Sequence, residues 1–373
     1  MIMTEEKVLP VPDQTALVLK GYHHVELYVG NAKQAAHFYR TAFGLKLVAY
    51  SGLETGARNR VSYVLEENDA RLVLTSSLYP DDEIAGHVRR HGDGVKDIAF
   101  IVDHAEDAFN EAVTRGARPV MEPALIEDDE GEIVKASIGV FGDTIHSFIE
   151  RKDYAGKFLP GFRAVDNVPP PPFSTNLAEI DHLAISISEG QLDEWVGFYE
   201  ETMGFHQSHR EDVATEYSAM NSKVVQNQSG QIKFPLVEPA VGKRKSQIQE
   251  YLEYYDGPGV QHVAFLSSDI VDTVKAWRAA GNEFLKVPNA YYEMLEERVG
   301  RIDEDVEELQ AEHILVDRDQ WGYLMQIFTR PVQSRPTVFM EAIQRRGARG
   351  FGSGNIKALF TALELDQAKR GNL

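Results

Sequence analysis

Three residues far apart in the chain share one unusual context. His182 in IDHLAI and His262 in VQHVAF each interrupt an apolar, strand-like run, and Glu341 does the same in VFMEAI. The intervals, 80 residues from 182 to 262 and 79 from 262 to 341, allow one such residue on each of three strands. A histidine on a strand of this kind is more often a satisfied part of the core. An unpartnered buried carboxylate is costly, however, and ligation to a cation removes that cost. Two imidazoles and one carboxylate are a metal-ligand set that leaves neighbouring coordination positions free, which suits non-haem Fe(II) and O2.

The strands that must position these groups belong to an internal repeat. HVELYVGNAKQAAHFYRTAFGLKL (24–47) and HLAISISEGQLDEWVGFYEETMGFHQ (182–207) both read as strand, helix and glycine stop. His24 matches His182, Phe38-Tyr39 matches Phe198-Tyr199, and Gly44 matches Gly204. A second pair, 94–123 and 259–288, aligns Gly116 with Gly281 and Pro123 with Pro288. A third sets GDTIHSFIER (142–151) against GYLMQIFTR (322–330). Each half thus holds two strand-helix-strand modules followed by further strands, an α+β organisation. The expected divisions are 1–160 and 178–373, joined by a stiff segment, 161–177, that contains DNVPPPPFSTN. Asp97 stands where the second half has His262, so a metal is expected only in the second half.

Composition excludes several classes of function. A net charge of −20 disfavours nucleic acid and anionic membranes as partners. No apolar run approaches the roughly 18 residues that span a bilayer. The opening MIMTEEKVLP lacks the basic-then-apolar layout of a secretion leader, and a cytoplasmic location is expected. Cysteine is absent, so a metal has to be held by histidine and carboxylate.

KRKSQIQEYLEYYDGPGVQHVAF (243–265), ILVDRDQWGYLMQIFTRPVQSRPTVFMEAIQR (314–345) and GFGSGNIKALF (350–360) carry a more specific likeness. Through them, and over nearly its whole length, the chain resembles the family of 4-hydroxyphenylpyruvate dioxygenase and 4-hydroxymandelate synthase, in the vicinal-oxygen-chelate superfamily. The resemblance implies two tandem domains of βαβββ modules with curved mixed sheets, and a C-terminal helix that acts as a lid. It implies Fe(II) on His182, His262 and Glu341, O2 as co-substrate, 4-hydroxyphenylpyruvate as the small-molecule partner, and a homo-oligomer, dimer or tetramer. Carried over position by position, Gln247, Gln261 and Gln326 are pocket glutamines, and Ser222 and Pro235 are pocket-wall residues. Phe328, Phe339 and Phe351 match ring-holding aromatics, and Asn355 and Phe360 belong to the lid. The implied reaction is oxidative decarboxylation to homogentisate and CO2, a step of tyrosine catabolism.

Three positions depart from the dioxygenase pattern: Val237 replaces an Asn, Ile356 a Phe, and Ala184 a Val. They lean towards the sister reaction, benzylic hydroxylation to 4-hydroxymandelate, because the wall against which the substrate ring rests selects the carbon attacked. A metal-free binding protein is the reading from another class. It would have no need of Glu341.

Overall fold

The computed structural model describes residues 17–166 and 168–372; the opening MIMTEEKVLP lies outside them. The first half lays down strands β1 (Gly21–Tyr28), β2 (Lys46–Ser51), β3 (Arg60–Glu67), β4 (Ala70–Ser77), β5 (Gly94–Ile101), β6 (Arg118–Asp128), β7 (Gly131–Gly139), β8 (Ile145–Arg151) and β9 (Arg163–Ala164). The second adds β10 (Leu177–Ser186), β11 (His206–Ala214), β12 (Ala219–Gln226), β13 (Lys233–Ala240), β14 (Gly259–Ser267), β15 (Leu315–Arg318), β16 (Tyr323–Phe328) and β17 (Phe339–Arg346). Hydrogen bonding orders them β6-β7-β8-β5-β1-β4-β3-β2-β9 and β15-β16-β17-β14-β10-β13-β12-β11. Short β9 apart, the second order is the first with every number raised by nine. Both sheets are mixed, with parallel pairs β1/β4 and β5/β8 in one and β10/β13 and β14/β17 in the other. The duplicated α+β organisation expected from the repeats is therefore present.

One sequence match has to be corrected. GDTIHSFIER contributes β8, beside β5, whereas GYLMQIFTR contributes β16, whose counterpart in the first sheet is β7. The counterpart of β8 is β17, the strand of Glu341. A glycine turn followed by an apolar run begins either strand, so only sheet neighbours tell them apart. A helical excursion also intervenes in the second half. Three short helices (Ala290–Glu293, Leu295–Val299, Val306–Ala311) separate Gly281 from β15, where the first half runs from Gly116 almost directly into β6.

The glycine landmarks have a physical reason. The helix Ala32–Phe43 starts at Asn31, whose Oδ1 accepts from the Gln34 amide at 3.1 Å, and ends on Gly44 at φ 73°. Its counterpart Leu192–Met203 ends on Gly204 at φ 68°. Such left-handed caps favour a residue without Cβ. Gly44 has a second constraint: an added Cβ would lie 2.7 Å from the ring of Phe173. Arg40 meanwhile donates to the carbonyls of Pro169 (2.5 Å) and Pro170 (3.2 Å), so the proline-rich segment is pinned to the first half.

One hydrophobic cluster runs through both halves. The Phe43 and Trp277 rings meet edge-on at 4.8 Å, and Trp277 Nε1 donates to the Phe43 carbonyl at 3.2 Å. His91 stacks on Tyr255 at 4.4 Å and donates to its carbonyl through Nδ1. Trp277→Ala should cost ~3–5 kcal/mol. Because the core is shared, calorimetry should show one transition moved to lower temperature rather than one half melting away from the other.

Candidate metal centre and its cavity

The three residues singled out above come together on adjacent strands in the middle of the second sheet. His182 on β10 and Glu341 on β17 both sit opposite Ala264 of β14, and His262 lies two residues before Ala264. The period of two along a strand puts all three side chains on one face. Nε2 of each imidazole is 3.2 Å from Oε2 of Glu341. That oxygen is fully buried and has no hydrogen-bond partner. The other faces of these groups are already engaged. Glu341 Oε1 accepts from Gln326 Nε2 at 2.9 Å, His182 Nδ1 donates to Asp181 Oδ1 at 2.8 Å, and His262 Nδ1 donates to Gln261 Oε1 at 3.3 Å. Three potential donor atoms thus converge, all within 4.8 Å of one another. Donor atoms about 2.1 Å from a six-coordinate cation, at right angles to one another, lie about 3.0 Å apart. The two 3.2 Å spacings to Glu341 suit such an ion, which these three residues would hold.

The charges agree with that geometry. Burial alone would raise the Glu341 carboxyl, but His182 and His262 outweigh it and hold the pKa down at about 2. Burial alone would lower His182, yet Glu341 and Asp181 raise it above the usual histidine value. For His262, whose Nδ1 partner is a neutral amide, burial prevails and the pKa is lowered.

Above the three donors lies a cavity enclosing about 560 Å³, mouth included. Its walls include Ala184, Ser222, Pro235 and Val237 from β10, β12 and β13, Gln247 and Gln261, and Gln326 and Phe328 from β16. The helix Ser353–Lys369 closes it with Ile356 and Phe360, after Phe351 in the turn that precedes the helix. Two residues named from sequence stand just behind the wall. Phe339 stacks on His262 at 4.9 Å, and Asn355 Nδ2 donates to Gln326 Oε1 at 2.9 Å. The amides are connected: Gln261 Nε2 donates to Gln247 Oε1 at 2.8 Å, and Tyr291 OH donates to Asn355 Oδ1 at 2.6 Å. Asn355, through Gln326, ties the closing helix to Glu341. Phe351 meets the His182 ring edge-on at 5.0 Å.

Several lining residues, Met220, Val224, Ile248 and Leu359, carry no sequence signal beyond ordinary apolar periodicity. Asp181 and Arg345 carry a signal of position alone, since one precedes His182 and the other follows Glu341 by four positions; Tyr291 carries none.

The register locates the corresponding place in the first half. His24 and Ser147 both sit opposite Ala99, as His182 and Glu341 sit opposite Ala264, and Asp97 corresponds to His262. Asp97 Oδ2 there accepts from Ser147 Oγ at 2.5 Å and from Lys135 Nζ at 3.3 Å. The ring of Phe158 packs 5.1 Å from His24.

Residues 21–146 and 179–327 match the family model described as the Glyoxalase/Bleomycin resistance protein/Dioxygenase superfamily. The chain is 47% identical over 369 residues to the 4-hydroxyphenylpyruvate dioxygenase of Yarrowia lipolytica, an alignment covering 95% of this chain and 94% of the relative. It is 43% identical to that of Dictyostelium discoideum, with 95% and 100% covered. Among solved structures, a triple mutant of 4-hydroxymandelate synthase from Streptomyces coelicolor superposes with a TM-score of 0.84 at 36% identity, covering 94% of this chain and 99% of that one.

Proposed function

Since the chain belongs to the 4-hydroxyphenylpyruvate dioxygenase family, within the glyoxalase/bleomycin resistance protein/dioxygenase superfamily, we propose that its cavity takes 4-hydroxyphenylpyruvate and that His182, His262 and Glu341 hold Fe(II) beneath it. The observation that carries the reading is the fully buried Glu341 Oε2, without a hydrogen-bond partner and faced by two imidazole Nε2 atoms at 3.2 Å in the lining of the cavity. A protein that merely sequestered a ligand would gain nothing from it.

The proposed reaction joins 4-hydroxyphenylpyruvate and O2 and gives homogentisate and CO2, with every atom conserved. Iron supplies the activation of O2 coupled to decarboxylation of the 2-oxo acid. The chain's own residues bind, orient and shield. Gln247 and Gln261 present amides beside the metal face, suited to the polar oxo-acid end of the substrate. Phe328, Phe351 and Phe360 offer ring surfaces to the aromatic end. The closing helix keeps bulk water out, and its Asn355, through Gln326, holds one carboxylate oxygen of Glu341 so that the other faces the metal. The first half is proposed to stay metal-free, because the Lys135 ammonium is already beside Asp97.

A second reading has a specific observation behind it. Val237 and Ile356 belong to one apolar cluster against the cavity, and neither side chain can hydrogen-bond a phenol. This favours a fraction of benzylic attack, giving 4-hydroxymandelate. Purified protein given Fe(II), a reductant, O2 and substrate should consume substrate and yield homogentisate as the main product, separated by chromatography. No Fe(II) uptake, or hydroxymandelate as sole product, would overturn the assignment. No helix among the described residues is long and apolar enough to cross a membrane; we further propose a cytoplasmic homo-oligomer.

A further inference from the structure

We propose that Asp181 and Arg345, neither of which lines the cavity, are positioning residues that set metal affinity at His182 and tie it to the turn carrying the closing helix. The inference rests on the metal reading above and adds to it a pair of residues outside the ligand set.

The origin is an irregularity of the backbone. Residues Ile180 and His182 pair with Phe265 and Ala264, so Asp181 is an extra residue, a bulge in β10. In a regular strand, neighbours point to opposite faces; a bulge re-aims one of them. Here it lets Asp181 Oδ1 reach Nδ1 of the adjacent His182 at 2.8 Å. The first half has the same bulge on the same rung, between Tyr22 and His24, and there the extra residue is His23, which lies 2.7 Å from Nδ1 of His24. One backbone device thus occurs twice, and it carries a carboxylate only behind the imidazole that faces Glu341.

A buried carboxylate needs its own counter-charge. Arg345 supplies it with two parallel bonds, Nε to Oδ2 at 2.7 Å and Nη2 to Oδ1 at 2.8 Å, and Lys233 stands 3.8 Å away. The fork geometry is the arrangement in which arginine is not replaceable by lysine. The remaining nitrogen, Nη1, donates to the carbonyls of Gly350 at 2.6 Å and Ala348 at 3.4 Å. The guanidinium also lies 5.4 Å from the centre of the Phe351 ring, which itself packs on His182. One cation therefore holds the outer partner of a metal ligand and the turn before the closing helix. His262 has no such support, since its Nδ1 meets the neutral Gln261 at 3.3 Å. The two histidines are unequal, and the asymmetry runs towards the closing helix.

The test uses the full chain, loaded anaerobically with Fe(II) alone. Asp181→Asn should weaken Fe(II) binding about 10–100-fold, the range typical of lost outer partners of metal-bound histidine. Gln261→Leu should weaken it less. Asp181→Asn with Arg345→Gln removes both charges of the forked pair and keeps hydrogen-bonding groups; it should fold, bind Fe(II) as weakly as the single variant, and lose metal-dependent protection of the terminal helix from protease. A merely structural pair would lower the melting temperature of metal-free protein and leave the rise on adding Fe(II) unchanged. Affinity within twofold of the unaltered protein in both variants, or an unchanged rise, would overturn the proposal while the metal reading stands. Failure of the unaltered protein to bind Fe(II) would overturn both.

Discussion

Glu341→Gln should abolish both the bound metal and turnover while leaving the fold intact. The substitution keeps shape and keeps an oxygen to accept from Gln326, so packing is barely disturbed. What disappears is the charge of the oxygen that both imidazoles face at 3.2 Å. Without a metal, that carboxylate is held at a pKa of about 2 by His182 and His262, so it is ionised throughout the physiological range. An amide oxygen is a far poorer ligand for a hard divalent ion. A loss of at least ~4 kcal/mol in transition-state stabilisation, roughly a thousandfold in kcat/KM, is the expected scale. Metal analysis of purified protein should find iron in the unaltered chain and near none in the variant, at a melting temperature close to that of the metal-free parent. Turnover by the variant at more than a tenth of the parental rate would remove Glu341 from the ligand set.

The second large effect concerns product. Val237 is buried on β13, and Ile356 sits in the first turn of the closing helix; both pack into one cluster with Met220, Ile248 and Phe360. A branched aliphatic wall leaves an aromatic ring freer to slide than a flat ring would. Val237 also offers a phenol nothing to hydrogen-bond. Val237→Asn with Ile356→Phe restores a polar anchor and a flat surface. If one hydrogen bond is worth ~1 kcal/mol, the ratio of homogentisate to hydroxymandelate should rise about fivefold. Chromatography of both products under equal turnover measures it directly. An unchanged ratio would show that the ring is aimed from elsewhere, with Ala184 and Ser222 the next positions to vary.

Much of this was legible before any coordinates. The repeated landmarks predicted two like sheets, because a helix ended by glycine after a strand is a local pattern with a local cause, as Gly44 and Gly204 show. The three proposed ligands were legible because a polar residue in the middle of a buried strand needs a reason. Sheet neighbours were not. GYLMQIF and the strand containing HSFIE look alike along the chain, yet they occupy different rungs, and only hydrogen bonding across the sheet separates them. The bulge at Asp181 was invisible for a related reason, since nothing in IDHLAI announces that one residue is skipped by its partner strand. Along the chain Arg345 is only a charge near the end of an apolar run. Its role emerges only when β17 and β10, with β14 between them, bring it against Asp181.

That bulge carries a message about ancestry. Both sheets carry an extra residue on the same rung, before His24 in one and before His182 in the other. An irregularity shared so closely by two copies is best placed in the single unit that was duplicated, so the bulge is older than the side-chain differences between the halves. What distinguishes them now, Asp181 against His23, Glu341 against Ser147 and His262 against Asp97, is side chains hung on an inherited frame.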